Sequence, residues 1–237
     1  MLQLFSRPHH QKIAHVLQLL DHQLLRDHHC FFAGGTAIAL MFDEYRESVD
    51  IGFLVSDLAA YRRLRELATN PGGLANLFRE EAKQTISFGE VRADQYGIRT
   101  MLTVLGQSIK FEIVLEARIA LELPTALEVI CGVSTLTKLD LATSKLLANA
   151  DRWADDAVFN RDVIDLAMMN LPLAMLREAV VKAETAYGEV IKKDLAAAIA
   201  RLETRPNWLE RCMDILDIRL TKASLWSKIR LLKKVLK

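Results

Sequence analysis

The chain has few of the markers that would settle its class at a glance. Its three cysteines, Cys30, Cys131 and Cys212, are odd in number and far apart. They make neither a metal knuckle nor a disulfide framework, and they read as reduced thiols of a cytoplasmic protein. No apolar run approaches the ~20 residues that span a bilayer. The first residues also lack the apolar stretch of a signal peptide, so no membrane partner is expected. Charge of one sign is missing too: 31 Lys and Arg face 30 Asp and Glu. The overall balance therefore does not announce a nucleic-acid partner. Internal repeats and low-complexity linkers are absent. What remains is a chain of 237 residues, 51% apolar, enough for one large domain or two small ones with a sizeable core.

The hydrophobic periodicity changes near residue 132. Before it, helical and strand patterns alternate. Residues 9–27 read as one amphipathic helix with Ile13, Val16, Leu17, Leu20 and Leu24 on a face. All six histidines fall in the first 29 residues. His15, His22 and His29, seven apart, point away from the leucine face and read as a solvated surface, not a metal site. Strands are expected over 30–33, 49–55, 85–88, 100–105 and 109–115, with a further one over 127–131. Helices are expected over 36–42 and 57–68, with Ser56 or Asp57 as N-cap of the second. Gly106-Gln107 marks a hairpin. After residue 132 the pattern is helical throughout, over 134–150, 156–169, 172–187, 189–203, 207–217 and 222–236. The expected fold is α+β. A mixed sheet with flanking helices, residues 1–132, is followed by a helical bundle, residues 133–237.

Two stretches carry chemistry. Phe31-Phe32-Ala33-Gly34-Gly35-Thr36 reads as strand, glycine turn and helix start. Ser48-Val49-Asp50-Ile51-Gly52-Phe53-Leu54 reads as a second strand with a carboxylate on it. A glycine pair lets a phosphate approach the backbone, and the following helix offers free N–H groups to anionic oxygens. Side chains two apart on a strand share a face, about 6.6 Å apart. An Asp-x-Asp pair there can hold two divalent ions ~3.5–4 Å apart, and hard Mg²⁺ or Mn²⁺ takes carboxylate oxygens. Here Asp50 is present, but Gly52 occupies the second position. On the 109–116 strand, Lys110, Glu112, Val114 and Glu116 share one face, which makes Glu112 or Glu116 a candidate third acid. The same residues also fit a charged, solvated strand surface.

Gly34-Gly35-Thr36-Ala37-Ile38-Ala39-Leu40, followed by Tyr45-Arg46-x-Ser48-x-Asp50-Ile51, resembles the AbiEii/AbiGii toxin family of nucleotidyltransferases, part of the polymerase-beta-like superfamily. The likeness continues in Leu139-Asp140-Leu141-Ala142-x-x-Lys145-Leu146-Leu147-Ala148 and in Asn160-Arg161-Asp162-x-x-Asp165-Leu166. It covers residues 30–168; the last seventy carry little of it. The resemblance implies transfer of an NMP from an NTP to an RNA acceptor, tRNA foremost, with an antitoxin partner. It implies that Asp50 and Glu112 bind Mg²⁺ or Mn²⁺, and that Gly34, Gly35, Thr36 and Ser48 line the nucleotide. Lys145 would contact its phosphates, with Asp162, ahead of Asp165, supporting that lysine or the substrate. Other readings stay open. Lys145 fits a snorkelling surface lysine, alone or in a basic strip with Lys138. Asp162 fits surface pairing with Arg161 or Arg152. Thr36 fits a helix cap as well as a phosphate ligand. The basic end, residues 228–237, fits an RNA contact, a solvated amphipathic helix or, more weakly, a membrane-surface contact with Trp226 alone as anchor.

Gly52 has three readings. The protein is a non-catalytic member that binds nucleotide, RNA or a protein partner; or a single change replaced an aspartate; or Glu44 or Asp57 substitutes for it. The intact neighbours favour a single-step loss, because Asp and Gly codons differ by one base. The chain is therefore expected to have little or no transferase activity. A small-molecule transferase of the antibiotic-modifying type is the remaining enzymatic alternative.

Overall fold

The computed structural model describes residues 5–236. Residues 1–4 of the N-terminal stretch expected to lack a signal peptide's apolar region, and the last lysine of the basic end, lie outside that range. The chain divides into two compact units. One runs to Met41 and resumes over Ser48–Thr137; the other comprises Phe42–Glu47 and everything from Lys138 on.

In the first unit the elements are α1 (Pro8–Leu19), α2 (His22–Asp27), β1 (Phe31–Ala33), α3 (Gly34–Met41), β2 (Ile51–Val55), α4 (Leu58–Thr69), β3 (Ile86–Phe88), β4 (Arg92–Ala93), β5 (Gly97–Val104), β6 (Gln107–Leu115), β7 (Val129–Ile130) and β8 (Val133–Ser134). Six strands form one sheet in the order β1-β2-β6-β5-β3, with β4 also on β5. β2 and β6 pair in parallel and the other pairs are antiparallel. Alternation decides the faces. Ile51, Phe53 and Val55, with Ile109, Phe111 and Ile113, are buried. Phe32, Phe53, Phe111, Phe78 and Phe88 run through that core in ring contact, 5.0–6.1 Å between successive centroids. The opposite face carries Gly52, Glu112, Lys110 and Arg99, all partly exposed.

Three expectations are corrected here. The 9–27 helix is two helices, because Leu20 is extended and Asp21 restarts the helix by accepting from Gln23 and Leu24 N–H at 3.1 and 3.0 Å. His15, His22 and His29 therefore share no helical face. The β5–β6 turn is Leu105-Gly106, not Gly106-Gln107. Both turn residues have positive φ, 50° and 77°, and Gln107 already pairs with Val104. That is the two-residue hairpin whose twist suits the strands. The small strands β4 and β8 were not foreseen, being two residues each.

The second unit contains α5 (Lys138–Arg152), α6 (Arg161–Met168), α7 (Leu173–Tyr187), α8 (Val190–Thr204), α9 (Trp208–Ile215) and α10 (Lys222–Leu232). α5 is its central helix and packs on α6, α7 and α8. Burial on several sides explains why Asp140, Thr143, Lys145 and Asn149 are all inaccessible on one helix. The helix expected over 156–169 opens as a 3₁₀ turn, Asp156–Val158. It breaks at Phe159 and Asn160, whose φ values are 53° and 47°, before α6 begins. No described helix is long and apolar enough to cross a membrane.

Candidate active site

The first set of predicted site residues lies around β2. Gly34, at φ 77°, opens α3 directly after β1 in a conformation that favours glycine. Thr36, one turn in, is buried, and its hydroxyl donates to the Asp50 carbonyl. Its single proton being so committed, the 2.8 Å contact with Ser48 is a donation from the Ser48 hydroxyl. Thr36 and Ser48 thus join the first turn of α3 to the segment that leads into β2.

Asp50 stands just before β2, outside the ladder, with an exposed side chain. Its carboxylate has no hydrogen-bond or ion-pair partner among the described residues. Gly52 lies opposite Ala33 on one side and Glu112 on the other. A Cβ added at Gly52 would meet only the Ala33 carbonyl oxygen, at 3.8 Å, which is ordinary van der Waals contact. No unusual backbone angle calls for glycine at this position, so a side chain is sterically admissible there. Glu112 points from the same face and is bridged by Lys110 at 2.8 Å. Glu116 is buried and held by the Arg118 backbone N–H and guanidinium, at 2.6–2.9 Å. Asp57 caps α4 through Ala60 N–H at 2.6 Å. Glu44 falls in the helical unit. Among the described residues, no three His, Cys, Asp or Glu side chains converge to hold a metal. Asp50 and Glu112 alone do not supply the oxygen set of a two-metal centre.

The second set lies in the helical unit and forms one buried cluster. The Lys145 ammonium sits between Asp162, at 2.9 Å, and Asp165, at 2.6 Å. Arg152 grips Asp162 with two N–H groups at 2.7 and 3.0 Å. Arg46 grips Asp165 in the same bidentate manner, also at 2.7 and 3.0 Å, and the Tyr45 hydroxyl donates to Asp165 as well. Three cations thus enclose two carboxylates. Burial alone would raise the Asp162 carboxyl, but Lys145 and Arg152 overcome it and hold it well below the usual range. Asp165 is likewise held low by Arg46 and Lys145 against its burial. Burial and the neighbouring Asp165 carboxylate push the Tyr45 phenol well up, so it remains a donor. The Lys145 side chain is 5% exposed, which excludes a snorkelling surface lysine. The Asn149 side-chain amide nitrogen, one helical turn from Lys145, is buried without a partner.

Tyr45 and Arg46 join this cluster without having been candidates; Asp165 stood second to Asp162, and Arg152 was expected only as a surface partner of Asp162. The signal was available: Tyr45-Arg46 stands inside the resembling motif, and Asp165 is one turn from Asp162. The basic end forms α10 and a 3₁₀ turn, with Leu225, Ile229 and Leu232 buried and Lys233 paired to Glu203 at 2.6 Å.

JHP933 of Helicobacter pylori superposes with a TM-score of 0.52 at 17% identity, over 98% of this chain and 95% of that one. A second H. pylori structure, described as a candidate nucleotidyltransferase, gives 0.51 at 16% identity, over 96% and 94%. These likenesses show the fold. Among curated proteins, none matches the sequence. The family described as "Nucleotidyl transferase AbiEii toxin, Type IV TA system" matches residues 18–227. The chain belongs to the AbiEii nucleotidyltransferase toxin family.

Proposed function

We propose that the fold serves transfer of an NMP from an NTP to an RNA acceptor, tRNA foremost, in the cytoplasm and under the control of an antitoxin. In this reading Asp50 and Glu112 are the acidic residues that would hold Mg²⁺ or Mn²⁺. Gly34, Gly35, Thr36 and Ser48 line the nucleotide. Lys145 serves the phosphates and Asp162 orients it. A divalent ion, when bound, would neutralise the triphosphate and polarise the bond to be broken. The chain as it stands is catalytically impaired, because one carboxylate of the set is missing.

One observation carries this reading. Gly52 sits directly opposite Glu112, on the same sheet face, at a position with room for a side chain and no backbone need for glycine. A residue with neither a steric nor a conformational reason to be glycine is best explained as a lost carboxylate. The test is Gly52→Asp with α-labelled NTPs, total tRNA and Mg²⁺. Restored transfer should exceed that of the unmodified chain by ~100-fold or more, the scale of several kcal/mol of transition-state stabilisation. A folded Gly52→Asp chain that incorporates none of the four nucleotides sinks the proposal. It would leave the competing reading, a non-catalytic module that binds nucleotide, RNA or a protein partner.

A further inference from the structure

We propose that His9 and His10 are positioning residues that clamp the backbone of Ser48-Val49 and thereby fix Asp50. The functional part of this inference rests on the reading of Asp50 as an acidic ligand. The clamp itself rests on geometry alone.

Residues 47–50 belong to no helix or strand, so the ladder of β2 does not fix the carboxylate at its head. Side chains do it instead. The Ser48 N–H donates to His10 Nε2 at 3.1 Å. His9 Nε2 lies 2.9 Å from the Val49 carbonyl oxygen. Thr36 takes the next carbonyl, that of Asp50. Three consecutive residues are thus held by three side chains, all in the sheet unit. His10 is fully buried and His9 is 6% exposed, so water does not readily replace these bonds.

The polarity of each bond follows from its partners. A backbone N–H can only donate, so His10 Nε2 is unprotonated and its ring proton is on Nδ1. The His9 tautomer is set from the surface inward. Lys12 can only donate, and its ammonium lies 2.5 Å from Gln107 Oε1. That turns the Gln107 amide nitrogen toward His9 Nδ1, at 2.5 Å, as donor. His9 Nδ1 is then the acceptor, its proton is on Nε2, and Nε2 donates to the Val49 carbonyl. Two adjacent histidines are held as opposite tautomers, one taking an N–H and the other giving to a C=O. A solvated pair would have no such requirement.

The first measurement needs no substitution. Two-bond ¹H–¹⁵N correlation of the full chain at pH 8 should show His10 as the Nδ1–H tautomer and His9 as the Nε2–H tautomer; a common tautomer overturns the clamp. Next, amide exchange at Ser48 should accelerate about fivefold or more in His10→Leu, the scale of one hydrogen bond. In His10→Gln, whose carbonyl can still accept, it should stay within about twofold of the parent. Unchanged exchange in His10→Leu overturns the proposal. If His10→Leu does not fold, Gln107→Met decides: it leaves both rings in place, and because the Val49 carbonyl can only accept, His9 should keep its Nε2–H there; a shift to the Nδ1–H tautomer overturns the clamp. Finally, Mn²⁺ affinity is measured in the Gly52→Asp background, where His10→Leu should lower it ~10-fold and His10→Gln should restore it. No Mn²⁺ binding by Gly52→Asp itself would refute the ligand role of Asp50, while the tautomer and exchange results would still decide the clamp.

Discussion

The carboxylates of the sheet unit and those of the helical unit are dressed in opposite ways. The Asp50 carboxylate is exposed and has no partner among the described residues; that of Glu112 has one, a lysine that is itself 43% exposed. Asp162 and Asp165 are buried and enclosed by Lys145, Arg46, Arg152 and the Tyr45 hydroxyl. The same residue types therefore meet different physics. An exposed carboxylate exchanges water for a ligand cation at little cost to the fold. A buried one cannot change partners without leaving a charge unpaired in a low-dielectric interior. The open pair suits reversible chemistry, and the enclosed pair suits fixing one arrangement of α5, α6 and the Tyr45-Arg46 segment.

The largest expected effect attacks the enclosed pair. Asp165→Ala strands Arg46 and half of the Lys145 contacts, and should cost on the order of 3–5 kcal/mol by urea denaturation. Asp50→Ala should stay within about 0.5 kcal/mol. Equal losses would erase the contrast between the two regions.

Acid sharpens the contrast further. Both enclosed carboxyls titrate lower in the folded chain than in the unfolded one. In that window the unfolded state binds more protons, so stability falls as pH falls. The contribution is complete above the unfolded carboxyl range near ~3.9 and is lost progressively as pH drops below it toward the depressed folded values. Urea midpoints should therefore show this contribution level from pH 7 to about pH 4 and falling steeply between about pH 4 and pH 2 in the parent chain, more shallowly in Asp162→Asn. Parallel curves would mean that the cluster does not drive the acid response.

Much of this was legible from the residues. Period-two alternation in 109–115 placed Glu112 on the face opposite Phe111. The glycine turn and the Ser48–Leu54 stretch located α3 and β2. What escaped depends on long-range contact. His9 and His10 stand one turn before Ile13 and Ala14, on the buried side of α1, yet their partners are roughly forty or more residues away. No local pattern shows that Arg46 meets Asp165, 119 positions on. The break at Leu20-Asp21 was hidden because apolar spacing runs across it, and the extended Leu20 is set by its bridge to Phe78.

The smallest effect expected is at Lys110, and it bears on the open pair alone. Lys110 is the only ion-pair partner of Glu112 among the described residues, and both side chains are well solvated, 43% and 26% exposed. Lys110→Ala should therefore change stability by at most about 1 kcal/mol, and by less at high salt. Its effect on binding should be of the opposite sign. A divalent ion at Glu112 must displace the ammonium, so its removal should tighten Mn²⁺ binding in the Gly52→Asp chain, by no more than about fivefold. Weaker binding in Lys110→Ala would mean that the lysine helps to present Glu112 rather than compete for it. The open face would then be preorganised in the manner of the buried cluster, and the contrast between the two regions would narrow.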